Sequence, residues 1–260
     1  MRLPIYQIDA FTGQVFGGNP AAVCPLERWL PAEQMQAIAA ENNLAETAYF
    51  VKEGEAFRLR WFTPTVEVDL CGHATLAAAY VLFECLGYSG DRVTFQSQSG
   101  PLTVVQRGAL LEMDFPSRPP EQCAVHPELV PALGKDPVSV TASRDYLCVF
   151  ESAEEVLALN PDFTRLKQID RFAVIATAPG TDCDFVSRFF APAQGVDEDP
   201  VTGSAHCTLV PYWSKRLGKR SLHARQVSRR GGELFCEDRD DRVAIAGNAV
   251  LYMRGEIEIA

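Results

Sequence analysis

The hydrophobic positions of this 260-residue chain change period several times, and each change marks an expected element. Residues 4–11 have the alternation of an extended strand, residues 13–20 form a turn region containing Gly17-Gly18-Asn19-Pro20, and an apolar strand resumes over 21–24. From Pro31 the spacing becomes helical. Leu30, Met35, Ile38 and Ala39 fall on one face, proline suits a first helical position, and Asn42-Asn43 supply residues that tolerate a left-handed exit. Residues 45–51 read as a strand. In Phe57-Arg-Leu-Arg-Trp61 apolar residues alternate with arginines, the pattern of a half-buried strand in an antiparallel sheet. Further strands are expected at 93–95, 102–106 and 110–115. Pro116, Pro119, Pro120, Pro127 and Pro131 then crowd a connecting region, the natural boundary between halves 1–117 and 118–260, with the C-terminal strand able to cross back.

The pattern then starts again. Gly72-His-Ala-Thr and Gly203-Ser-Ala-His lie 131 residues apart, and each opens an apolar stretch that closes on Leu-Gly, at Leu86-Gly87 and Leu217-Gly218. Upstream, Arg60-Trp-Phe-Thr-Pro64 matches Arg188-Phe-Phe-Ala-Pro192 at an offset of 128. Strand, proline turn, acidic segment, glycine turn and apolar helix therefore recur in order, which points to a duplicated α/β unit. Helix N-termini carry free N–H groups and partial positive charge, so two glycine-led helices facing one cleft would suit a carboxylate.

Composition narrows the classes. The chain has 24 Lys and Arg against 34 Asp and Glu, a net charge of −10, which argues against a nucleic-acid-coating protein. Its apolar fraction of 47% supports a real core. Eight cysteines are scattered without a C-x-x-C pair, so reduced thiols in a cytoplasmic protein are expected, with neither a zinc cluster nor a disulfide framework. The start lacks a signal-peptide pattern, and the longest apolar stretch falls far short of the ~20 residues that span a bilayer. Seven Lys and Arg between residues 215 and 230 read as a solvated basic face that would also draw anions.

Three segments put ionisable groups where the pattern wants apolar ones. Glu46, between a helix exit and an apolar strand, is either a solvated turn residue or a cleft acid. His73, in the first turn of a very apolar helix, is either a satisfied core or capping histidine or a site residue. In Gly195-Val-Asp-Glu-Asp-Pro-Val-Thr-Gly-Ser-Ala-His206, Asp199 and Ser204 are either helix caps or site residues. Capping does not explain why His73 and Ser204 occupy equivalent positions of the two repeats. A zinc site from Cys71, His73, Asp199 and His206 lacks any tight ligand spacing, and a Cys71–His73 nucleophile lacks an orienting group.

The stretches Asp9-Ala-Phe-Thr, Phe16-Gly-Gly-Asn-Pro-Ala-Ala-Val23, Asn43-Leu-Ala-Glu-Thr47, Cys71-Gly-His-Ala-Thr75, Glu198-Asp-Pro-Val-Thr-Gly-Ser-Ala205 and Arg229-Arg-Gly-Gly232 resemble the PhzF-like proteins of phenazine biosynthesis. The resemblance spans nearly the whole chain. It implies a diaminopimelate epimerase-like fold: mixed α/β, two pseudo-symmetric halves, each a curved, mostly antiparallel sheet or barrel around a central apolar helix, with the active site in the cleft between them. It further implies a cofactor-free, metal-free isomerase that moves a proton between carbons of a small carboxylate such as a dihydro-hydroxyanthranilate. Glu46 would be the acid/base, His73, Asp199 and Ser204 would line the site, and Asn19, Cys71, Gly72, Ala74, Thr202 and Gly203 would bind substrate. A homodimer without nucleic-acid or membrane partners is implied as well. The epimerase relatives use two cysteines, whereas here the pair is Cys71 and Thr202, so a two-thiol racemase is disfavoured; a non-catalytic carboxylate-binding protein is the other alternative. For work near neutral pH, Glu46 is expected to have its pKa raised by burial from ~4.3 by about two units, at a cost of roughly 3 kcal/mol.

Overall fold

A computed structural model describes residues 1–259 and divides into two compact units, one of Met1–Asp114 with the segment from Ala246 onward, the other of Phe115–Ile245. In the first unit the chain runs β1 (Arg2–Ala10), β2 (Asn19–Leu26), α1 (Ala32–Asn42), β3 (Glu46–Glu53), β4 (Ala56–Phe62), β5 (Glu67–Val68), α2 (Gly72–Tyr80), β6 (Arg92–Ser97), β7 (Gly100–Arg107) and β8 (Leu110–Pro116). The second runs α3 (Leu129–Leu133), β9 (Ser139–Ala142), β10 (Tyr146–Val149), α4 (Ala153–Ala158), α5 (Phe163–Leu166), β11 (Val174–Pro179), β12 (Phe185–Ala191), β13 (Val196–Asp199), α6 (Gly203–Leu217), β14 (Ser221–Gln226), β15 (Gly232–Arg239) and β16 (Arg242–Gly247). The last strand, β17 (Ala249–Glu258), pairs antiparallel with β1 along its length, which is why residues from 246 on belong with the first unit.

Local chemistry explains the elements. Pro31 precedes α1 in an extended conformation, Met35, Ile38 and Ala39 form its buried face, and Asn43 ends it at φ 50°, its N–H returning to the Ala39 carbonyl. In β4 the alternating pattern holds: Phe57, Leu59 and Trp61 are buried between arginines. Helix α2 has buried residues on every side from His73 to Ala79 and packs against β1, β2 and β3, as an all-apolar helix must. Helix α6 places the Trp213 ring parallel to Phe185 at 5.7 Å. Two boundaries differ from the sequence reading. Strand β2 begins at Asn19 inside the expected turn, because Asn19 pairs with Ala10, and α3 forms inside the proline-rich connection with Pro131 in its short span.

The same topology occurs in each unit. Strands β2 and β3 are parallel, as are β10 and β11; β4 pairs antiparallel with β3 and β5 and parallel with β6, and β12 does the same with β11, β13 and β14. Side chains repeat too. Arg60 grips Glu67 through two bonds of 2.7 and 2.8 Å and lies 5.2 Å over Phe62; Arg188 grips Glu198 at 2.7 and 2.8 Å and lies 4.9 Å over Phe190. Gly87 and Gly218 end the equivalent helical stretches at φ 67° and 66°, a left-handed turn that a side chain would strain. Both units are mixed α/β, with several parallel pairs among the antiparallel ones. Among the described residues, no helix is long and apolar enough to cross a membrane.

Candidate active site

In the first unit, Glu46 is the opening residue of β3, immediately after the left-handed exit of α1, and pairs in register with Ala21 of β2. His73 is the second residue of α2, and Cys71 is its N-cap, extended at φ −146° and without a side-chain cap bond. These three side chains meet. His73 Nε2 is 3.0 Å from Glu46 Oε2, and His73 Nδ1 is 3.5 Å from Cys71 Sγ. The His73 and Glu46 side chains are 7% and 18% exposed, so the contact is largely shielded from water. Thr75 Oγ1 donates to the Cys71 carbonyl at 2.5 Å, fixing the turn that carries the cluster.

Electrostatics decide the protonation of this trio. Burial alone pushes the Glu46 carboxyl up, but the His73 charge and hydrogen bonding to His73 and Cys71 outweigh it, and the Glu46 pKa is lowered from the usual 4.5. For His73, burial disfavours the imidazolium, yet the contacts with Cys71 and Glu46 prevail and the pKa stands well above 6.5. Burial raises the Cys71 thiol to about 11, so at neutral pH Cys71 is a thiol and Glu46 supplies the negative charge. The resting state is a carboxylate–imidazolium pair. The expected upward shift of Glu46 is therefore overturned. The sequence reading considered burial around Glu46 and not the cation that the fold brings to it.

One ligand atom from each of Glu46, Cys71 and His73 lies within 4.8 Å of the other two, a spacing that three ligands of a divalent cation require. Two of the three hold protons near neutrality, which a metal would have to displace.

In the second unit, Thr202 is the N-cap of α6, followed by Gly203 and Ser204. Thr202 makes no side-chain cap bond; its hydroxyl donates to Asp199 Oδ2 at 2.5 Å. Asp199 is thereby tied to the residue at the N-cap of α6. Ser204 Oγ accepts from Arg144 Nη2 at 3.3 Å, and Arg144 is held by two 3.0 Å bonds to buried Asp145 and by stacking at 4.3 Å over Phe172. His206 is buried, with its pKa lowered by burial to about 4, and its Nδ1 is 2.9 Å from the Thr202 carbonyl. It is thereby a neutral structural donor, the counterpart of Thr75 at the 131-residue offset. Three of the seven cations of the basic run are held by acids: Lys219 by Asp184 at 2.6 Å, Arg220 by Asp240 at 2.7 Å, and Arg225 by Asp182.

The predicted positions thus gather into two groups, Glu46, Cys71 and His73 with the α2 residues Gly72 and Ala74, and Asp199, Thr202, Gly203 and Ser204 at the start of α6. Asn19 is buried at the start of β2, two positions before the Ala21 that pairs with Glu46. Sequence reading missed Gln226 and Arg144. Gln226 had a signal, since Leu222, Ala224 and Gln226 are alternate, inward positions of β14 and only the last is polar. Arg144 had none.

With this geometry in place, similarity to known proteins is informative. The model of the phenazine biosynthesis-like protein family matches residues 8–255. A protein of Pseudomonas aeruginosa named as an uncharacterized isomerase is 55% identical over the whole of both chains, and a human phenazine biosynthesis-like domain-containing protein is 39% identical over 99% of each. A crystal structure of a PhzF-family protein from Enterococcus faecalis superposes with a TM-score of 0.98 at 50% identity, covering both chains completely. At 10% identity a hydroxyproline epimerase from Agrobacterium vitis shares the fold alone, with a TM-score of 0.62. Fold and full-length relatives place the chain among isomerases of diaminopimelate epimerase-like architecture. Within that class, it belongs to the PhzF-like phenazine biosynthesis family.

Proposed function

We propose that this chain is a cofactor-independent isomerase that moves a proton between carbons of a small, carboxylate-bearing, unsaturated substrate, with a dihydro-hydroxyanthranilate as the type compound. The observation that carries the reading is the buried Glu46–His73 pair at 3.0 Å, ionised as carboxylate and imidazolium. At neutral pH Glu46 is already in the deprotonated form that a base requires. Glu46 takes a proton from one substrate carbon, the C–H electron pair passes into the adjacent π system, and the resulting carboxylic acid, whose O–H exchanges with solvent, delivers a proton to a second carbon on the same face. Atoms and charge balance, and no redox partner is needed. The His73 imidazolium stabilises the negative charge that develops, as a preorganised cation in a low-dielectric site does best. The groups at the α6 start, Asp199, Thr202, Gly203 and Ser204, are proposed as substrate-binding groups of the second unit.

A two-thiol racemase is disfavoured because Thr202 stands opposite Cys71 in the repeat and the Cys71 thiol is raised to about 11. Cytoplasmic location and a homodimer belong to the proposal, and sedimentation tests the latter. The test of function is incubation with a dihydro-hydroxyanthranilate in heavy water. Deuterium should appear at the isomerised carbon with wild-type protein and not with Glu46→Gln. Wild-type protein that exchanges nothing would favour a carboxylate-binding module instead.

A further inference from the structure

Gln226 is 1% exposed at the end of β14, where its backbone is paired with Ser187 of β12 on one side and Gly232 of β15 on the other. Its carboxamide makes three hydrogen bonds, all to one turn. Oε1 accepts from the Thr202 backbone N–H at 2.9 Å, and Nε2 donates to the Asp199 carbonyl at 2.8 Å and to Thr202 Oγ1 at 3.2 Å. Flipping the amide would set N–H against N–H and oxygen against carbonyl oxygen, so the orientation is forced by the partners. Because Thr202 Oγ1 accepts from Gln226, its own proton is left for Asp199 Oδ2, the bond observed at 2.5 Å.

We propose that Gln226 is a positioning residue: it locks residues 199–202 and directs the Thr202 hydroxyl onto the Asp199 carboxylate, presenting that carboxylate in one orientation to the substrate. This rests on the reading of Asp199 and Thr202 as substrate-facing groups. Only a carboxamide fits the role. A glutamate at 226 keeps the acceptor but replaces both donors with lone pairs, and it competes with Asp199 for the Thr202 proton. Protonated, the same glutamate regains one donor. Methionine, of similar length, supplies none at any pH.

The experiment compares wild type, Gln226→Glu and Gln226→Met for deuterium exchange into a dihydro-hydroxyanthranilate, well below each variant's unfolding midpoint. At about pH 8 both variants should lose kcat by at least ~30-fold with KM changed less than about threefold, the signature of a lost transition-state interaction. Lowering the pH to about 5 should bring Gln226→Glu back to within roughly fivefold of wild type at that pH, as its carboxyl regains a donor, and leave Gln226→Met low. Folded variants with wild-type kcat, or a Gln226→Glu loss that acid does not relieve, would assign Gln226 to stability alone and overturn the proposal. If wild type exchanges nothing while its Glu46–His73 pair titrates as described, the functional reading fails first and this proposal with it.

Discussion

The protonation of the Glu46–His73 pair can be tested without knowing the substrate. Replacing Glu46 with Gln keeps size and hydrogen-bonding capacity but deletes the charge 3.0 Å from His73 Nε2. At that separation two unit charges attract by about 5 kcal/mol for an effective dielectric of ~20, several times the ~1.36 kcal/mol that moves a titration by one unit. With the carboxylate gone, burial and the Cys71 contact remain; because Cys71 is a neutral thiol, burial prevails, and the His73 pKa should fall from well above 6.5 to below it. The imidazole Cε1–H resonance, followed by NMR from acid to alkaline pH, reads this directly. Wild-type His73 should stay protonated through neutrality, and the variant should be neutral there. A variant whose His73 remains charged at pH 8 would refute the pairing. Signs for stability follow. The lowered Glu46 contributes above about 4.5 and is lost as pH falls through its folded value; the raised His73 contributes below 6.5 and is lost as pH rises through its own. Activity should share those limbs, and loss of the base should cost about 10²–10⁴-fold in kcat.

Three further outcomes are expected. His206, buried and neutral with a pKa of about 4 against 6.5 when exposed, binds fewer protons folded than unfolded; wild type should lose about 2 kcal/mol of stability between pH 7 and pH 5 relative to His206→Thr, measured by urea unfolding. Equal pH slopes would show that His206 is solvated. Arg188 grips Glu198 and also donates to the Leu159 carbonyl at 2.7 Å, so Arg188→Met should cost about 3–5 kcal/mol, and Arg60→Met, at the half-buried equivalent, clearly less. The reverse order in thermal unfolding would contradict the packing described. Finally, Cys71, with its thiol near 11, should resist iodoacetamide at neutral pH when modification is mapped by mass spectrometry; rapid labelling would show a thiolate.

Much of the site was legible because each half places its chemistry at the start of a helix. Cys71-Gly-His73 and Thr202-Gly-Ser204 fall 131 residues apart in the sequence, and both prove to be an N-cap followed by the first two helical residues. The repeat likewise foretold the paired Leu-Gly stops and the Arg60 and Arg188 strands. What the repeat could not foretell was which partner each group meets. Asp199 was open as a helix cap or a site residue, and its carboxylate accepts from Thr202; the basic run looked available to anions, and three of its seven cations are tied to Asp182, Asp184 and Asp240.

Periodicity and spacing are local properties of the chain, and they determined the strands, the apolar helices, the duplication and the identity of Glu46, His73, Asp199 and Ser204 as polar residues out of pattern. The charge state of the site was decided only in three dimensions. Glu46 and His73 are 27 positions apart, and the pKa of each follows from a contact of 3.0 Å that no window of sequence contains. Flanking residues suggested a desolvated acid, but Coulomb energy falls with distance and not with separation along the chain, so the imidazolium brought by α2 outweighs burial and keeps Glu46 ionised.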